Sequence, residues 1–234
     1  MFLLGHSCWS YLISKSAGRG LKVQLPLYLA LLSGVLPDFD IYFRPLLEHH
    51  TITHSLLLLG PITVLLSYRY KRLGAAFSIG ILSHLLTDSL VGTIPIFYPV
   101  STLTIGLGLG IPSPADTFLE VGALAASIGY VFINGDYVLF IRRGKNSILI
   151  AIPMVAIVTL TLLFAGDNNI PLVVLAFSRK ALTAITLGHV VLVGALSIGT
   201  LQGIRAYLPK FHELRIPSLR ENGSSSTKTE RRKR

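Results

Sequence analysis

Four short stretches of this chain hold residues able to do chemistry. His6 stands alone in an apolar run near the N-terminus. "LPDFD" sets Asp38 beside Asp40 just after Pro37, a residue that stops or kinks a helix. "HHTITHS" puts three of the seven histidines, His49, His50 and His54, into one loop, with His50 and His54 at i, i+4. "GILSHLLTDSL" places His84 and Asp88 at i, i+4 within an otherwise apolar helix, where they share a face. An ionisable pair inside a membrane segment points to function, because a partner or an ion must offset its desolvation. Imidazoles and carboxylates together are donors that zinc or manganese accepts, and open positions on such an ion would activate water at neutral pH.

Each stretch also has a plainer reading. Asp38 and Asp40 suit a helix-end loop, and Thr53 would cap the helix that follows. His84 and Asp88 would share a buried hydrogen bond that fixes packing. Ser55 is the competing nucleophile beside His54, yet neither a Gly-x-Ser-x-Gly elbow nor a phosphate-binding loop accompanies it. His189 has no acidic neighbour in its segment and reads as an interhelical contact. Asp116 and Glu120 suit a helix N-terminus, where the dipole favours carboxylates. His212 reads as a solvated residue.

The elements that must carry these residues follow from composition. Of 234 residues 51% are hydrophobic and 14% charged, with a mean hydropathy of +0.64; soluble domains carry about 25% charged residues. Apolar runs fall at about 2–14, 25–37, 54–68, 73–91, 94–111, 117–134, 147–165 and 170–202, with no internal repeat. The expected fold is all-α, a polytopic transmembrane bundle of about 6–8 membrane segments. It forms one integral-membrane domain over residues 1–220, followed by a disordered basic tail over 221–234. The single Cys8 excludes an intramolecular disulfide and a Cys-rich zinc site. The stretch "MFLLGHSCWSYLIS" lacks the positive start and the cleavage motif of a signal peptide.

The net charge of +10 is clustered at Lys15/Arg19/Lys22, Arg69/Lys71/Arg72, Arg142/Arg143/Lys145 and the tail. Cytoplasmic retention explains this better than nucleic-acid binding. It predicts a multi-pass cell-membrane protein with a cytoplasmic tail and with residues 38–53 outside. Residues 92–116, rich in Gly and Pro, would then form a re-entrant or broken segment. Arg179/Lys180 is the exception, falling outside or in a short kinked region. At about 1.5 Å per residue, Asp38 lies roughly 24 Å beyond Lys22, His54 roughly 22 Å before Arg69, and His84 and Asp88 roughly 18 and 24 Å beyond Arg72. His6 falls on the same side, so four stretches bring their ionisable groups to one depth.

The ordered set of an N-terminal His, "LPDFD", "HHTITHS" and "GILSHLLTDSLVGTIPIFYP" resembles the YdjM-like family of membrane-bound metal-dependent hydrolases, over roughly residues 1–100. The resemblance places the family's polar signature on His6, Asp38, Asp40, His49, Thr53, His54, Ser55, His84 and Asp88, and its closing proline on Pro99. Ile41 stands where the family has His after the second Asp, and His50–Thr51 replaces its Arg-Gly. A weaker likeness, in the order His, Asp, His, His-x-x-x-Asp and Pro, is to the zinc-dependent phospholipase C and single-strand nuclease group. It implies a phospholipid or other lipid-phosphate substrate.

The leading reading is therefore a membrane hydrolase. His6, Asp38, Asp40, His49, His54, His84 and Asp88 would bind one or more divalent metals, zinc first and manganese second. Asp40 or Asp88 would act as general base on a phosphoester. Two alternatives stay open: an ion or proton transporter using the same cluster, and a scaffold in which the cluster locks helix packing. Metal stoichiometry tells the scaffold from the hydrolase, and ion flux identifies a transporter.

Overall fold

Helix α1 (Leu3–Gly20) buries His6, Ser7, Ser10 and Ser14 as well as apolar side chains and is packed on several sides by the helices that follow it in the chain. A computed structural model describes residues 1–44, 46–111, 113–166 and 179–207, and among them all regular structure is helical, with no strand. Small residues let the backbones of α1, α2 (Leu27–Ser33) and α3 (Leu56–Val91) approach closely. Ser10 alone ties the three together, with Oγ 2.6 Å from Ser33 Oγ, 3.1 Å from the Ala30 carbonyl and 3.3 Å from that of Gly80. A Cβ on Gly34 would land on the His6 carbonyl oxygen, so only glycine fits there.

The 36 residues of α3 would make a rod of roughly 54 Å if straight. They do not, because Lys71 turns the chain through φ 54° and ψ −131°. The arms on either side fold back on each other. Ser78 donates to the Thr63 carbonyl at 3.0 Å, and Leu59, Ile81 and Leu85 share a small core. The expected segments 54–68 and 73–91 are thus the two arms of one hairpin. Ser55 caps α3 by accepting from Leu57 N at 3.1 Å, so the cap expected of Thr53 falls two residues later.

Segment 25–37 is helical only over α2. Gly34 ends it, and Pro37 opens a 3-10 turn over Pro37–Phe43 that carries Asp38 and Asp40. The described residues of 92–113 hold no helix. Ile94 and Ile105 pair as an isolated bridge, and the carbonyls of Ile96 and Tyr98 accept from Ser55 Oγ at 3.2 and 2.7 Å. Ser113 and Pro114 start α4 (Pro114–Ile133), with the serine hydroxyl accepting from Asp116 N. The short α5 (Val138–Ile141), α6 (Ala151–Gly166) and α7 (Arg179–Tyr207) complete the bundle.

Among the described residues four helical stretches are long and apolar enough to cross a membrane: Leu56–Val91, Pro114–Ile133, Lys145–Leu163 and Leu182–Tyr207. The chain is a membrane protein with several apolar helices. The second arm of α3 runs antiparallel to α1, with Ala76 against Gly18 at one end and Thr87 against His6 at the other. The first three basic clusters consequently gather at one end of the bundle and the His/Asp stretches at the opposite end. Residues 170–178, His212 and the tail over 221–234 lie outside the described residues.

Candidate metal centre

Four elements deliver the polar residues. The first turns of α1 carry His6, the 3-10 turn after α2 carries Asp38 and Asp40, the loop before α3 carries the three clustered histidines, and the end of α3 carries His84 and Asp88. Backbone hydrogen bonding aims the rings. His84 Nδ1–H donates to the Gly34 carbonyl at 2.7 Å. Thr87 donates its hydroxyl to the His84 carbonyl and accepts from His6 Nδ1–H at 2.9 Å. Thr53 donates to Asp40 Oδ2 at 2.6 Å and accepts from His54 Nδ1–H at 3.0 Å. With each Nδ1 proton so placed, His6, His54 and His84 all turn an Nε2 lone pair inward. Metal-binding histidines use this arrangement, in which the outer nitrogen is held by an acceptor.

The inward atoms converge. His54 Nε2 and His84 Nε2 are 3.1 Å apart. Asp38 Oδ1 lies 3.3 and 3.4 Å from them, and Asp88 Oδ2 lies 3.4 and 3.1 Å from them. A zinc ion about 2.0–2.1 Å from four tetrahedral ligands has ligand–ligand edges of about 3.3–3.4 Å. Five edges of this set, at 3.1–3.4 Å, are close to that length, and Asp38, His54 and His84 form a triad spaced to hold an ion. All four side chains are buried, His54 completely, and Asp88 Oδ2 accepts no hydrogen bond. A dication would bring the two carboxylates to zero net charge, which suits a site among apolar helices.

The other expected ligands surround this tetrad. His6 Nε2 is 3.1 Å from the second Asp88 oxygen. His49 Nδ1 lies 3.0 Å from Asp40 Oδ1, and its Nε2 3.9 Å from Asp38 Oδ1. Asp38, Asp40 and His49 thus form a further group spaced to hold an ion. Asp40 itself stands behind the tetrad, on Thr53 and His49. His50, at φ 62°, tilts its ring against His49 and brings Nε2 to 3.8 Å from Asp88 Oδ2.

Burial works against ionisation of Asp38, but His84, His54 and His6 outweigh it and hold the carboxyl well below the usual range. Asp40 is likewise lowered, with burial opposed by His49 and Thr53. Burial is also the main influence on His50, and it pushes that imidazole down to about 3.

A cavity of about 280 Å³ opens beside these residues. His6, Asp38, His49 and His50 form one wall, while Leu182 and Ile185 of α7 belong to the other. Ser55 is held by the carbonyls of Ile96 and Tyr98 and is no part of the cluster. His189 donates from Nδ1 to the Ile185 carbonyl and accepts from Leu4 N at 3.2 Å, the interhelical contact expected of it. Asp116 and Glu120 are buried beside Phe2, whose N–H donates to Glu120, and lie outside the set. Sequence reasoning missed Gly34 and Thr87. Their signals were present: a glycine ahead of "LPDFD", and a threonine three residues after His84.

No match to the chain is found among curated proteins or among solved structures. A family model described as YdjM inner membrane protein matches residues 1–169, carrying the likeness well past the four polar stretches. The chain belongs to the YdjM inner membrane protein family.

Proposed function

We propose that this protein is an integral membrane hydrolase that uses a divalent metal on a lipid-phosphate or similar phosphoester. The observation that carries the proposal is the tetrad of His54, His84, Asp38 and Asp88, in which Asp38, His54 and His84 are spaced to hold one ion and Asp88 Oδ2 adjoins both histidines. Two nitrogens and two oxygens suit zinc first and manganese second. Asp38, Asp40 and His49 would hold a second ion if the centre takes two. When bound, the metal supplies Lewis acidity and an activated water.

The chain's own residues do the rest. His49 lines the cavity with its Nδ1–H on Asp40, an imidazole–carboxylate pair suited to accept a proton. Asp40 would then act through His49 rather than directly, and Asp88 would serve as ligand. Leu182 and Ile185 give the α7 wall an apolar part, beside Thr186 and His189, which suits the chain of a lipid whose headgroup faces the histidines of the cluster.

The test is elemental mass spectrometry of the detergent-purified protein beside His54→Ala/Asp88→Ala, with release of phosphate-bearing product from phospholipid micelles. Near-stoichiometric zinc or manganese and metal-dependent turnover in the wild type, both lost in the folded variant, are expected. A wild type that stays metal-free after reloading would overturn the reading. One observation favours a second reading as a proton or ion carrier. Buried Ser7, Ser10 and Ser14 descend α1 from His6 toward a buried Lys15–Asp136 pair. Ion flux in proteoliposomes that survives in the wild type without turnover would select it.

A further inference from the structure

The opposite end of α1 borders a second and larger cavity, of about 640 Å³. His6 and Arg19 are thirteen positions apart on the helix, roughly 20 Å at 1.5 Å per residue. The two cavities are therefore separate. Lys15, Arg19, Gln24, Asn134 and Asn146 line the second one, and Asp136 is the one carboxylate that does so among the described residues.

That carboxylate is already engaged. Lys15 Nζ reaches its two oxygens at 2.8 and 2.7 Å, and Tyr11 donates its hydroxyl to it at 2.9 Å. The buried pair is neutral and leaves Arg19 as surplus positive charge. Side-chain amides able to donate hydrogen bonds stand on the rim. The turn before α6 packs beside the start of α2 and brings Asn146 to the cavity, whose basic lining is Lys15 and Arg19. The remaining wall is apolar, with Leu27, Leu149 and Ile150. An arginine, amide donors and an apolar wall at the basic end of a helical bundle recognise a phosphate that carries a hydrocarbon tail.

We propose that this cavity binds the phosphate headgroup of an anionic phospholipid from the leaflet facing the basic clusters, independently of the metal centre. Retention of basic residues on one side of a membrane would account for the charges alone. It does not account for a cavity that takes Lys15 and Arg19 into its lining, nor for the internal neutralisation of Asp136 within it.

The experiment is native mass spectrometry of the full chain released from detergent with added phosphatidylglycerol, phosphatidylcholine or inorganic phosphate. Wild type should retain phosphatidylglycerol over phosphatidylcholine. Arg19→Gln should reduce that retention about fivefold, the effect of one basic residue near a phosphate. Lys22→Gln, altering an exposed lysine that does not line the cavity, should leave it unchanged. His54→Ala should also retain the lipid, which separates this site from the metal reading. Displacement of the lipid by inorganic phosphate would support the anion site and give its ligand's source as solution. Equal retention of both lipids, or equal losses in Arg19→Gln and Lys22→Gln, would overturn the proposal.

Discussion

At the scale of single residues, the proposed ligands depend on neighbours outside the set that would hold the metal. Thr53 uses one hydroxyl twice, donating to Asp40 and accepting from His54. Thr53→Val keeps the shape and removes both bonds, freeing the His54 ring to rotate and to change tautomer. Loss of such an outer partner typically weakens metal binding by about 10–100-fold. Titration of the apoprotein with zinc against a competing chelator should show a weakening of that order, with Thr53→Ser close to wild type. Unchanged affinity in Thr53→Val would mean that His54 is oriented by packing alone. The proton-accepting role given to His49 separates from metal binding in the same way. His49→Gln should leave the tetrad's ion in place while lowering kcat by about 10²–10⁴-fold, the usual worth of a general base. Loss of the metal along with the rate would instead make His49 a ligand.

At the scale of elements, the site depends on how closely α1, α2 and α3 approach. Gly34 has a double part, since its carbonyl holds His84 and its missing side chain leaves room for the His6 backbone. Gly34→Ala should push α1 away, costing about 1–3 kcal/mol as overpacking does, and should weaken metal binding along with stability. Gly122→Ala on α4 meets nothing within 4 Å. It should leave the metal untouched and raise helix stability by about 0.5–1 kcal/mol. Thermal unfolding in detergent with parallel metal analysis checks both, and equal behaviour of the two variants would refute the packing argument. Much of this site was legible in sequence, because ionisable residues in apolar runs need a partner or an ion, and the i, i+4 spacing of His84 and Asp88 fixes their common face. The reversal within α3 was legible in the basic cluster Arg69/Lys71/Arg72, which set segments 54–68 and 73–91 running in opposite directions. The residue that makes it, Lys71 in the left-handed region, is marked by no pattern of hydrophobicity. Gly34 and Thr87 left signals whose meaning was not legible for a related reason, since each acts on a histidine distant in the chain, Gly34 on His84 and Thr87 on His6.

For the whole molecule, the two ends differ in kind. One collects the basic clusters of α1, of the α3 turn and of the stretch before α6. The other holds buried carboxylates and imidazoles whose charge a dication would cancel. Helices joining the ends are apolar over lengths suited to a bilayer. Keeping uncompensated lysine and arginine on the cytoplasmic side would put the His/Asp end at the outer face, which is the orientation we propose. Phe43, 55% exposed, lies in the 3-10 turn that carries Asp38 and Asp40 at the His/Asp end, and Tyr70, also 55% exposed, lies by the α3 reversal. Cys8 is 1% exposed and should not react with a bulky reagent. In intact cells a membrane-impermeant maleimide should therefore label Phe43→Cys and not Tyr70→Cys, and permeabilised cells should label both. The reversed pattern would turn the protein over and present the metal centre to the cytoplasmic leaflet, leaving its geometry intact. Labelling of both positions from outside would be the more damaging result. The two ends would then share one face, and a bundle whose basic end and His/Asp end lie on opposite sides of the membrane could not stand.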